Sequence, residues 1–357
     1  MKEEWDAPLA PLTTMRVGGS AARLVTVETT DELVDAIREV DDADEPLLLM
    51  SGGSNLVVAD DGFPGTVVRV ATTGIEVESD DLCGGVNVRV AAGESWDDFV
   101  AQACDQGWAG IEALSGIPGL TGATPVQNVG AYGQEVAQTI AQVRVLDRHT
   151  GQVRTFANAD CEFTYRHSIF KASTRYAVLD VLFQLRPATL SEPIGYAALA
   201  AGLGVALGDR VPLADARAAV LEQRRRRGMV LDVDDHDTWS CGSFFTNPIL
   251  APDDFEAFRR RAAARMGEDG PVPPEFAADG GRVKTSAAWL IEQAGFTKGF
   301  AMPGPAALST KHTLAVTNRG DAKAADVVAL ARQVRDGVED AFGIRLVNEP
   351  VFVGHRL

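Results

Sequence analysis

The chain has 357 residues, of which 46% are hydrophobic and 23% are charged, and its formal net charge at pH 7 is −17. This length predicts two or three domains with ample core, and the composition is that of an ordinary globular protein. The acidic excess argues against a nucleic-acid-binding protein, which needs a basic surface or stripe, and an anionic ligand would need a locally basic site.

Neither the N-terminus nor the apolar runs predict a secreted or membrane protein. Residues 1–6 are acidic and lack the apolar core of a signal sequence, and no apolar run approaches the roughly 20 residues that span a bilayer. With five scattered histidines, the isolated cysteines show no metal-ligand spacing; they are Cys83, Cys104, Cys161 and Cys241. We therefore expect reduced thiols, no bound metal, no membrane partner and a cytoplasmic location.

The N-terminal part alternates strands and helices. A helix is predicted over 31–40 with Thr30 as its N-cap, because Leu33, Val34 and Ile37 share one face. Apolar or alternating runs predict strands at 47–50, 56–58, 67–70, 86–90, 143–146, 153–156 and 176–185.

Between the strands at 86–90 and 143–146, a second helix is predicted. Ser95 and Asp98 have the spacing of a capping box, and the helix runs to residue 105 before Gly107 ends it.

The C-terminal part begins after a loop and helical stretch at 191–209. An Ala-rich helix then ends in Arg224 to Arg227, which is typical of a solvated helix end and marks the expected domain boundary. A Gly-, Pro- and acid-rich loop is predicted at 267–281, a helix at 286–294, a strand at 313–317 and a long amphipathic helix that stops at Gly343.

Two glycine-rich stretches are candidates for ligand binding. Ser51 to Asn55 lies between two apolar strands, where its backbone N–H groups could form an anion-binding nest or simply a tight hairpin loop. The stretch from Gly116 to Gly133 has five glycines in 18 residues, which is costly in chain entropy for a turn alone and favours a backbone wrapped around a large ligand. Neither stretch is a dinucleotide fingerprint or a P-loop.

The segment from Cys241 to Pro248 sets Ser243 beside Gly242 and two phenylalanines. Bulky neighbours would hold the serine in one place while the glycine permits close approach. A serine that caps its own turn is the alternative interpretation of this segment by itself.

Taken in order, these segments resemble one family, the bacterial UDP-N-acetylenolpyruvoylglucosamine reductases, also named UDP-N-acetylmuramate dehydrogenases. The resemblance extends from Thr14 to Phe352. It rests on six ordered segments, at 52–55, 116–133, 165–168, 242–248, 286–295 and 349–350. It implies an α+β fold, with a flavin-binding module of the vanillyl-alcohol-oxidase type in two subdomains and a smaller α/β substrate-binding domain.

The implied boundaries are 1–72 for the first FAD-binding subdomain, completed by 345–357, then 73–221 for the second and 222–344 for the substrate-binding domain. The implied cofactors are FAD, which is tightly bound, and NADPH, which donates hydride. The nucleotide-sugar substrate would use the same cleft as NADPH, and the protein would be a monomer. The implied FAD-binding residues are Ser51, Gly52, Gly53, Ser54, Asn55, Gly116, Pro118, Gly119, Gly122, Pro125, Gln127, Asn128, Gly130, Ala131 and Tyr132. Ser51 stands where the family commonly has a third glycine.

The implied reaction is reduction of an enolpyruvyl ether to a lactyl ether in peptidoglycan precursor synthesis, and thus in cell-wall growth, cell shape and division. Flavin supplies the hydride chemistry, so the protein must position, polarise and protonate. Ser243 matches the family's proton donor and Arg166 its carboxylate-polarising residue. Glu349 matches the third catalytic position, where it would act protonated or bridged.

Outside this resemblance, each of the three has a plainer interpretation. Arg166 alone would suggest a surface ion pair, and Glu349 alone a buried acid beside a cation. Two other classes of function are also open: a flavoprotein oxidase that passes electrons to oxygen, and a nucleotide-sugar-binding protein without catalysis.

The implied substrate contacts include Tyr196, which matches the tyrosine of the family's longer-loop type. Arg227 stands where a family lysine would contact the diphosphate, which keeps the charge and changes the donor geometry. The implied substrate residues are Tyr165, Tyr196, Arg227, Asn247, Lys298, Lys311 and His312.

Overall fold

The computed structural model describes residues 1–81, 84–267 and 269–357. Cys83, and Glu268 in the loop predicted at 267–281, lie outside the described residues. The chain divides into two compact units: unit 1 comprises Met1–Ala7, Ala21–Gly53 and Pro64–Val230, and unit 2 comprises Pro8–Ser20, Ser54–Phe63 and Leu231–Leu357. The three-part division drawn from the sequence stays a prediction.

The elements follow the chain in this order. The strands are β1 (Lys2–Pro8), β2 (Ser20–Val27), β3 (Leu47–Met50), β4 (Leu56–Val58), β5 (Phe63–Val70), β6 (Ile75–Asp81), β7 (Gly85–Ala91), β8 (Trp108–Ala109), β9 (Gly130–Ala131), β10 (Gln134–Glu135), β11 (Ile140–Asp147), β12 (Gln152–Ala157), β13 (Tyr176–Pro187), β14 (Ile249–Leu250), β15 (Phe276–Ala277), β16 (Val283–Lys284), β17 (Ala306–Leu308), β18 (Val316–Asn318) and β19 (Val351–Val353). The α-helices are α1 (Thr30–Asp42), α2 (Trp96–Asp105), α3 (Ala197–Leu203), α4 (Leu213–Arg226), α5 (Pro252–Met266), α6 (Ala287–Gln293) and α7 (Ala324–Phe342).

Unit 1 contains two larger sheets. One has the strand order β1-β2-β5-β3, and α1 covers it with the apolar face that its sequence pattern predicts, including Leu33 and Ile37. The other runs β12-β11-β13-β7-β6 with β8 beside β13, and α2 packs on it through Trp96 and Phe99. The rings of Phe99 and Phe183 lie 5.2 Å apart in that core, so large aromatic side chains join the helix to the central strand.

Unit 2 is built around helices α5, α6 and α7. Its core joins their apolar faces to two buried phenylalanines of the 242–248 segment, Phe244 and Phe245. Short sheets belong to the same unit: the three-stranded β14-β16-β15, the pair β17-β18 and the parallel pair of β19 with β4. The last strand of the chain therefore pairs with residues 56–58, and unit 2 needs segments from three parts of the sequence.

Most predicted elements are confirmed, with corrections at their ends. The N-cap of α1 is Thr29, whose side chain accepts from Glu32, so the assignment of Thr30 is wrong by one residue. Ser95 caps α2 by accepting from Asp98, as its spacing predicts, and Ser286 caps α6. The strand expected at 313–317 is displaced to Val316–Asn318.

Some elements lack a sequence signal strong enough to predict them. Helix α5 is one, because its buried side chains are few and arginines interrupt them. Across the described residues, no helix combines the length and apolar character needed to cross a bilayer.

Candidate functional site

The two glycine-rich stretches meet where Gly52 lies too close to Gly119 to carry a side chain. A Cβ on Gly52 would lie 2.7 Å from the Cα of Gly119, and a Cβ on Gly122 would lie 2.5 Å from the Cβ of Ala92. Real Cβ atoms do not approach other atoms so closely, so glycine is required at both positions. Gly119 also has a φ of +119°, which an L side chain would strain.

Two hydroxyls in these stretches lack hydrogen-bond partners among the residues that the structure describes. The Oγ of Ser51 and the Oγ1 of Thr121 are buried and bond to no other described residue. Leaving a buried hydroxyl unpaired costs about 1–3 kcal/mol, so such atoms are expected where a polar ligand or water completes the structure.

An ion pair fixes the start of the second stretch. The carboxylate of Asp97 accepts from the Gly116 amide at 2.6 Å and from Arg217 at 2.6 and 3.0 Å. Burial opposes the charge of this carboxylate, but the hydrogen bonds from Arg217 and Gly116 hold the pKa of Asp97 below its ordinary value. Asp97, in the first turn of α2, therefore anchors the loop as an ionised carboxylate.

Arg166 occupies the second central position of a two-residue turn. Thr164 and His167 exchange backbone hydrogen bonds across this turn, and Arg166 has a φ of +53°, which favours glycine. Its Nη2 donates to the Gly130 carbonyl at 2.7 Å, and its Nη1 lies 3.4 Å from the Asn128 carbonyl. Backbone carbonyls of the second stretch thus orient the guanidinium.

Backbone strain recurs along this stretch. Asn128 and Tyr132 have φ values of +46° and +50°, and neither is a glycine. Each such residue costs about 1–3 kcal/mol and persists only where its surroundings impose it, which is common at functional sites.

The other predicted residues of these stretches lie in the same loops. Ala131 is in β9 opposite Gln134, and the Pro125 carbonyl accepts from the amide of Asn128. Pro118 and Gln127 are partly exposed, and Gly53 is buried with a φ of +60°.

Tyrosines and arginines gather beside the second stretch. The rings of Tyr132 and Tyr196 lie 5.3 Å apart, edge to face, and the guanidinium of Arg227 lies 6.0 Å from the Tyr196 ring. The buried Nε of Arg224 has no partner among the described residues, and burial lowers the pKa of Arg224 to about 10. Burial raises the pKa of Tyr132, while these two arginines oppose the change. The cluster is therefore a locally basic surface in an acidic chain.

In unit 2, two buried phenylalanines hold Ser243. Phe244 and Phe245 are 0% and 2% exposed, and the Phe244 amide donates to the Leu314 carbonyl at 2.8 Å. Gly242 has a φ of +72°, with open space where a Cβ would stand. The partly exposed hydroxyl of Ser243 bonds to no other residue in the described part of the chain. The alternative of a serine that caps its own turn therefore has no hydrogen bond to support it.

A backbone hydrogen bond joins Glu349 to the 242–248 segment. Its amide donates to the Phe244 carbonyl at 2.9 Å, and its carbonyl accepts from the side chain of Asn55 at 3.2 Å. Burial, with a contribution from Glu349, raises the pKa of Cys241 to about 12. The first and last thirds of the chain thus meet at one short stretch of unit 2, which sequence spacing does not show.

The remaining predicted residues of unit 2 are spread over two loops and the 242–248 segment. Asn247 accepts from the amide of Ala287 at 3.0 Å, at the start of α6. Lys311 and His312 sit in a turn that the buried hydroxyl of Ser309 holds by accepting from both amides, and the Gly299 amide, next to exposed Lys298, donates to the Ser309 carbonyl. Ser54 accepts from Thr14 through its carbonyl.

Two acids that sequence analysis did not single out fix the Lys311 turn. Asp237 is 4% exposed and accepts from the amide and hydroxyl of Thr310 and, at 2.9 Å, from Arg319. Burial opposes its charge, yet these hydrogen bonds keep the pKa of Asp237 below its ordinary value. Asp235 pairs with the Lys311 ammonium. Acidic residues are too common in loops for their presence in the sequence to signal such a role.

The predicted catalytic residues divide between the units, with Arg166 in unit 1 and Ser243 and Glu349 in unit 2. Within unit 1 the structure brings together Gly52 with Gly119, Arg166 with Gly130, and Tyr132 with Tyr196.

Two family models match the chain. Residues 21–157 match a model described as an FAD-binding domain. Residues 234–353 match the C-terminal domain of UDP-N-acetylenolpyruvoylglucosamine reductase. The mixed α and β structure and the FAD-binding domain confirm the predicted fold class.

Curated relatives cover the chain from end to end. The UDP-N-acetylenolpyruvoylglucosamine reductase of Streptomyces avermitilis is 58% identical over 100% of this chain and 96% of its own length. The enzyme of that name from Thermobifida fusca is 56% identical over 98% and 97%. The crystal structure of the Thermus caldophilus reductase matches with a TM-score of 0.65 and 26% identity, over 99% of this chain and 98% of that one.

Proposed function

The chain belongs to the UDP-N-acetylenolpyruvoylglucosamine reductase family and is an FAD-dependent oxidoreductase, and we propose that it reduces enolpyruvyl-UDP-N-acetylglucosamine to UDP-N-acetylmuramate with NADPH. It would act in the cytoplasm of a bacterium, as a monomer, in peptidoglycan precursor synthesis. NADPH and the nucleotide sugar would use the same cleft in turn.

The residues of unit 1 fit a flavin dinucleotide. Gly52, Gly119 and Gly122 let backbone segments approach each other closely. The hydroxyls of Ser51 and Thr121, which have no partner among the described residues, can form hydrogen bonds to a polar ligand. These residues would hold the cofactor with the other predicted members of the two stretches. Bound FAD would supply the hydride that reduces the enolpyruvyl double bond.

Ser243 is proposed as the proton donor. Reduction of the double bond leaves negative charge on the carbon beside the substrate carboxylate, and that carbon must then receive a proton. The Ser243 hydroxyl accepts and donates no hydrogen bond within the described residues, and the neighbouring phenylalanines fix its backbone. This anchored, unpaired hydroxyl is the observation that carries the proposal.

Arg166 and Glu349 would act on the substrate carboxylate. A guanidinium keeps its charge and its planar fork matches a carboxylate, so Arg166 would stabilise the charge that develops during reduction. Glu349 would complete the site from the end of unit 2 that also carries Ser243.

The substrate's nucleotide would bind the basic cluster. Arg227 would contact the diphosphate, and Tyr196 would cover it, while Tyr165 would border the same ligand. Asn247, Lys298, Lys311 and His312 would contribute from unit 2. The net charge of −17 makes a local basic surface necessary for such an anionic ligand.

The two half-reactions test the proposal directly. An anaerobic visible spectrum should bleach when NADPH is added, and the oxidised flavin spectrum should return with the enolpyruvyl nucleotide sugar. If the flavin stays bleached after the nucleotide sugar is added, the proposed substrate is wrong. Rapid oxygen consumption after NADPH is added would favour an oxidase.

The Ser243→Ala variant separates the steps. We expect flavin reduction by NADPH within about twofold of the original rate and reoxidation by substrate slowed by about 10²–10⁴-fold, the usual contribution of a positioned acid. Stopped-flow absorbance measures both rates. The matched control is Ser20→Ala, at an exposed position of β2. An equal loss in both half-reactions would refute the proton-donor role.

A further inference from the structure

The support of the Arg166 guanidinium extends beyond the two carbonyls that it contacts. Those carbonyls belong to Asn128 and Gly130, so the position of the fork depends on what fixes the backbone between them. The turn itself is held by Lys171, whose ammonium donates to the Arg166 carbonyl at 2.8 Å.

Asn128 connects the loop to the turn with its side chain. Its Nδ2 donates to the Thr164 carbonyl at 3.1 Å, and Thr164 is the residue that opens the Arg166 turn. Its Oδ1 accepts from the Ala137 amide at 3.1 Å. Asn128 is 1% exposed, so its amide is occupied inside the protein, and any contact that it makes to a cofactor comes from its backbone.

Glu135 completes this connection. Its Oε2 accepts from the Nδ2 of Asn128 at 2.8 Å, and a Cβ on Gly130 would lie 2.7 Å from its Cγ and 3.1 Å from the Nη1 of Arg166. β9 and β10 pair Glu135 with Gly130, so the acid lies directly across from the residue whose carbonyl holds the guanidinium. A charged acceptor orients an amide more strongly than a neutral one does.

We propose that Glu135 is a positioning residue for Arg166, acting through the Asn128 amide on the Thr164 turn and on the two carbonyls that orient the guanidinium. This inference rests on the proposed role of Arg166 toward the substrate carboxylate. The left-handed backbone at Asn128 and at Arg166 has to be imposed by neighbouring contacts, and the bonds of Glu135 and Asn128 supply them.

The consequence is specific to one half-reaction. A guanidinium displaced by about 1 Å loses alignment with the substrate carboxylate and can cost up to a hundredfold in rate. Reduction of the flavin by NADPH involves no such carboxylate. The position of Glu135 therefore matters for reoxidation and not for reduction.

Four variants test this: Glu135→Ala, Glu135→Gln, Arg166→Ala and the double variant Glu135→Ala/Arg166→Ala. Glu162→Ala is the matched control, since Glu162 is an exposed acid four residues before Arg166. Each is measured as holoenzyme for FAD content, for the rate of flavin reduction by NADPH and for the rate of reoxidation by the enolpyruvyl nucleotide sugar.

We expect Glu135→Ala to slow reoxidation about 10- to 100-fold with flavin reduction and FAD content retained. Glu135→Gln keeps an acceptor for Asn128 and should recover reoxidation to within about threefold of the original. The reoxidation rate of the double variant should lie within about threefold of the rate of Arg166→Ala, because the effects of residues that act as one unit are not additive.

Three outcomes would overturn the inference. One is full additivity in the double variant, and another is an equal loss of both half-reactions, which would mark Glu135 as a structural residue of the flavin loop. The third is normal reoxidation in Arg166→Ala, which would also refute the proposed role of Arg166 and is thereby distinguishable from the first two.

Discussion

The two units hold their predicted site residues by different means. In unit 1 the site is mostly backbone: Gly52 touches Gly119, Gly122 touches Ala92, and carbonyls orient Arg166. In unit 2 it is mostly side chains, with Asp237 and Asp235 fixing the turn that carries Lys311. A backbone site is sensitive to any added volume, whereas a site held by carboxylates is sensitive to charge and to pH.

The largest effect is expected from added volume at Gly52. In Gly52→Ala the new Cβ would meet the Gly119 Cα at 2.7 Å, and backbone on both sides leaves little room to adjust. Overpacking of this kind costs about 1–3 kcal/mol, equivalent to about 5- to 150-fold in FAD affinity. The ratio of flavin to protein absorbance after purification measures it.

Gly195→Ala is the control for this change. Gly195 also lacks a left-handed φ, and nothing lies within 4 Å of where its Cβ would stand, so flavin content should be unchanged. Equal flavin loss in the two variants would disprove the steric argument.

A smaller effect is expected from loss of charge at Asp237. In Asp237→Asn the partner of the partly buried Arg319 is lost, and the Thr310 amide faces a poorer acceptor. We expect a loss of about 1–2 kcal/mol in the free energy of unfolding of unit 2, measured by urea denaturation. Asp235→Asn breaks a more exposed pair with Lys311 and should cost less than about 1 kcal/mol.

The same carboxylate predicts a pH dependence. The pKa of Asp237 is lower in the folded protein than in the unfolded chain, so its stabilising effect is complete above the unfolded value of about 3.9 and is lost as pH falls through the folded value. Between about pH 5 and pH 3, wild type should therefore lose more stability than Asp237→Asn. Parallel urea midpoints of the two proteins across this range would contradict the assignment.

The smallest effect is expected from thiol reagents, and it should not differ between the units. Burial raises the pKa of Cys104 and Cys161 in unit 1 and of Cys241 in unit 2 to about 12. Relative to the ordinary value of 9.0, their thiolate fraction at neutral pH is smaller by about a thousandfold.

A Cys83→Ser variant should therefore react negligibly with a disulfide reagent until it unfolds, when three thiols become reactive. Rapid labelling of any thiol in the native state would show that its unit opens locally.

Much of the fold follows from local sequence patterns. The cap at Ser95 and the helix stop at Gly343 each depend on a few adjacent residues, and the structure confirms them. The error at Thr30 has a local cause too, because two adjacent threonines compete for one cap and only the side chain of Thr29 accepts from Glu32.

The residues of the candidate site follow from motifs, but its geometry depends on distant pairings. The carbonyls that orient Arg166 come from residues 36 and 38 positions earlier in the chain, and the acid that fixes Thr310 lies 73 positions before it. The left-handed backbone of Tyr132 and Arg166 has no signal in residue type, since neither is a glycine or an asparagine. Such features are imposed by tertiary contacts and cannot be derived from local propensity.

The parallel pair of β4 and β19 can form only at the end of protein synthesis, because its two strands lie far apart in the chain. Asn55 leaves the ribosome 294 residues before Glu349, its partner beside that pair, an interval of roughly 15–60 seconds at typical elongation rates. Every segment of unit 1 has been made by residue 230, whereas the strand pair of unit 2 waits for the last residues of the chain. Nascent residues 56–58 therefore stay without their parallel strand partner for most of translation, and a chain that ends before residue 351 would never supply it.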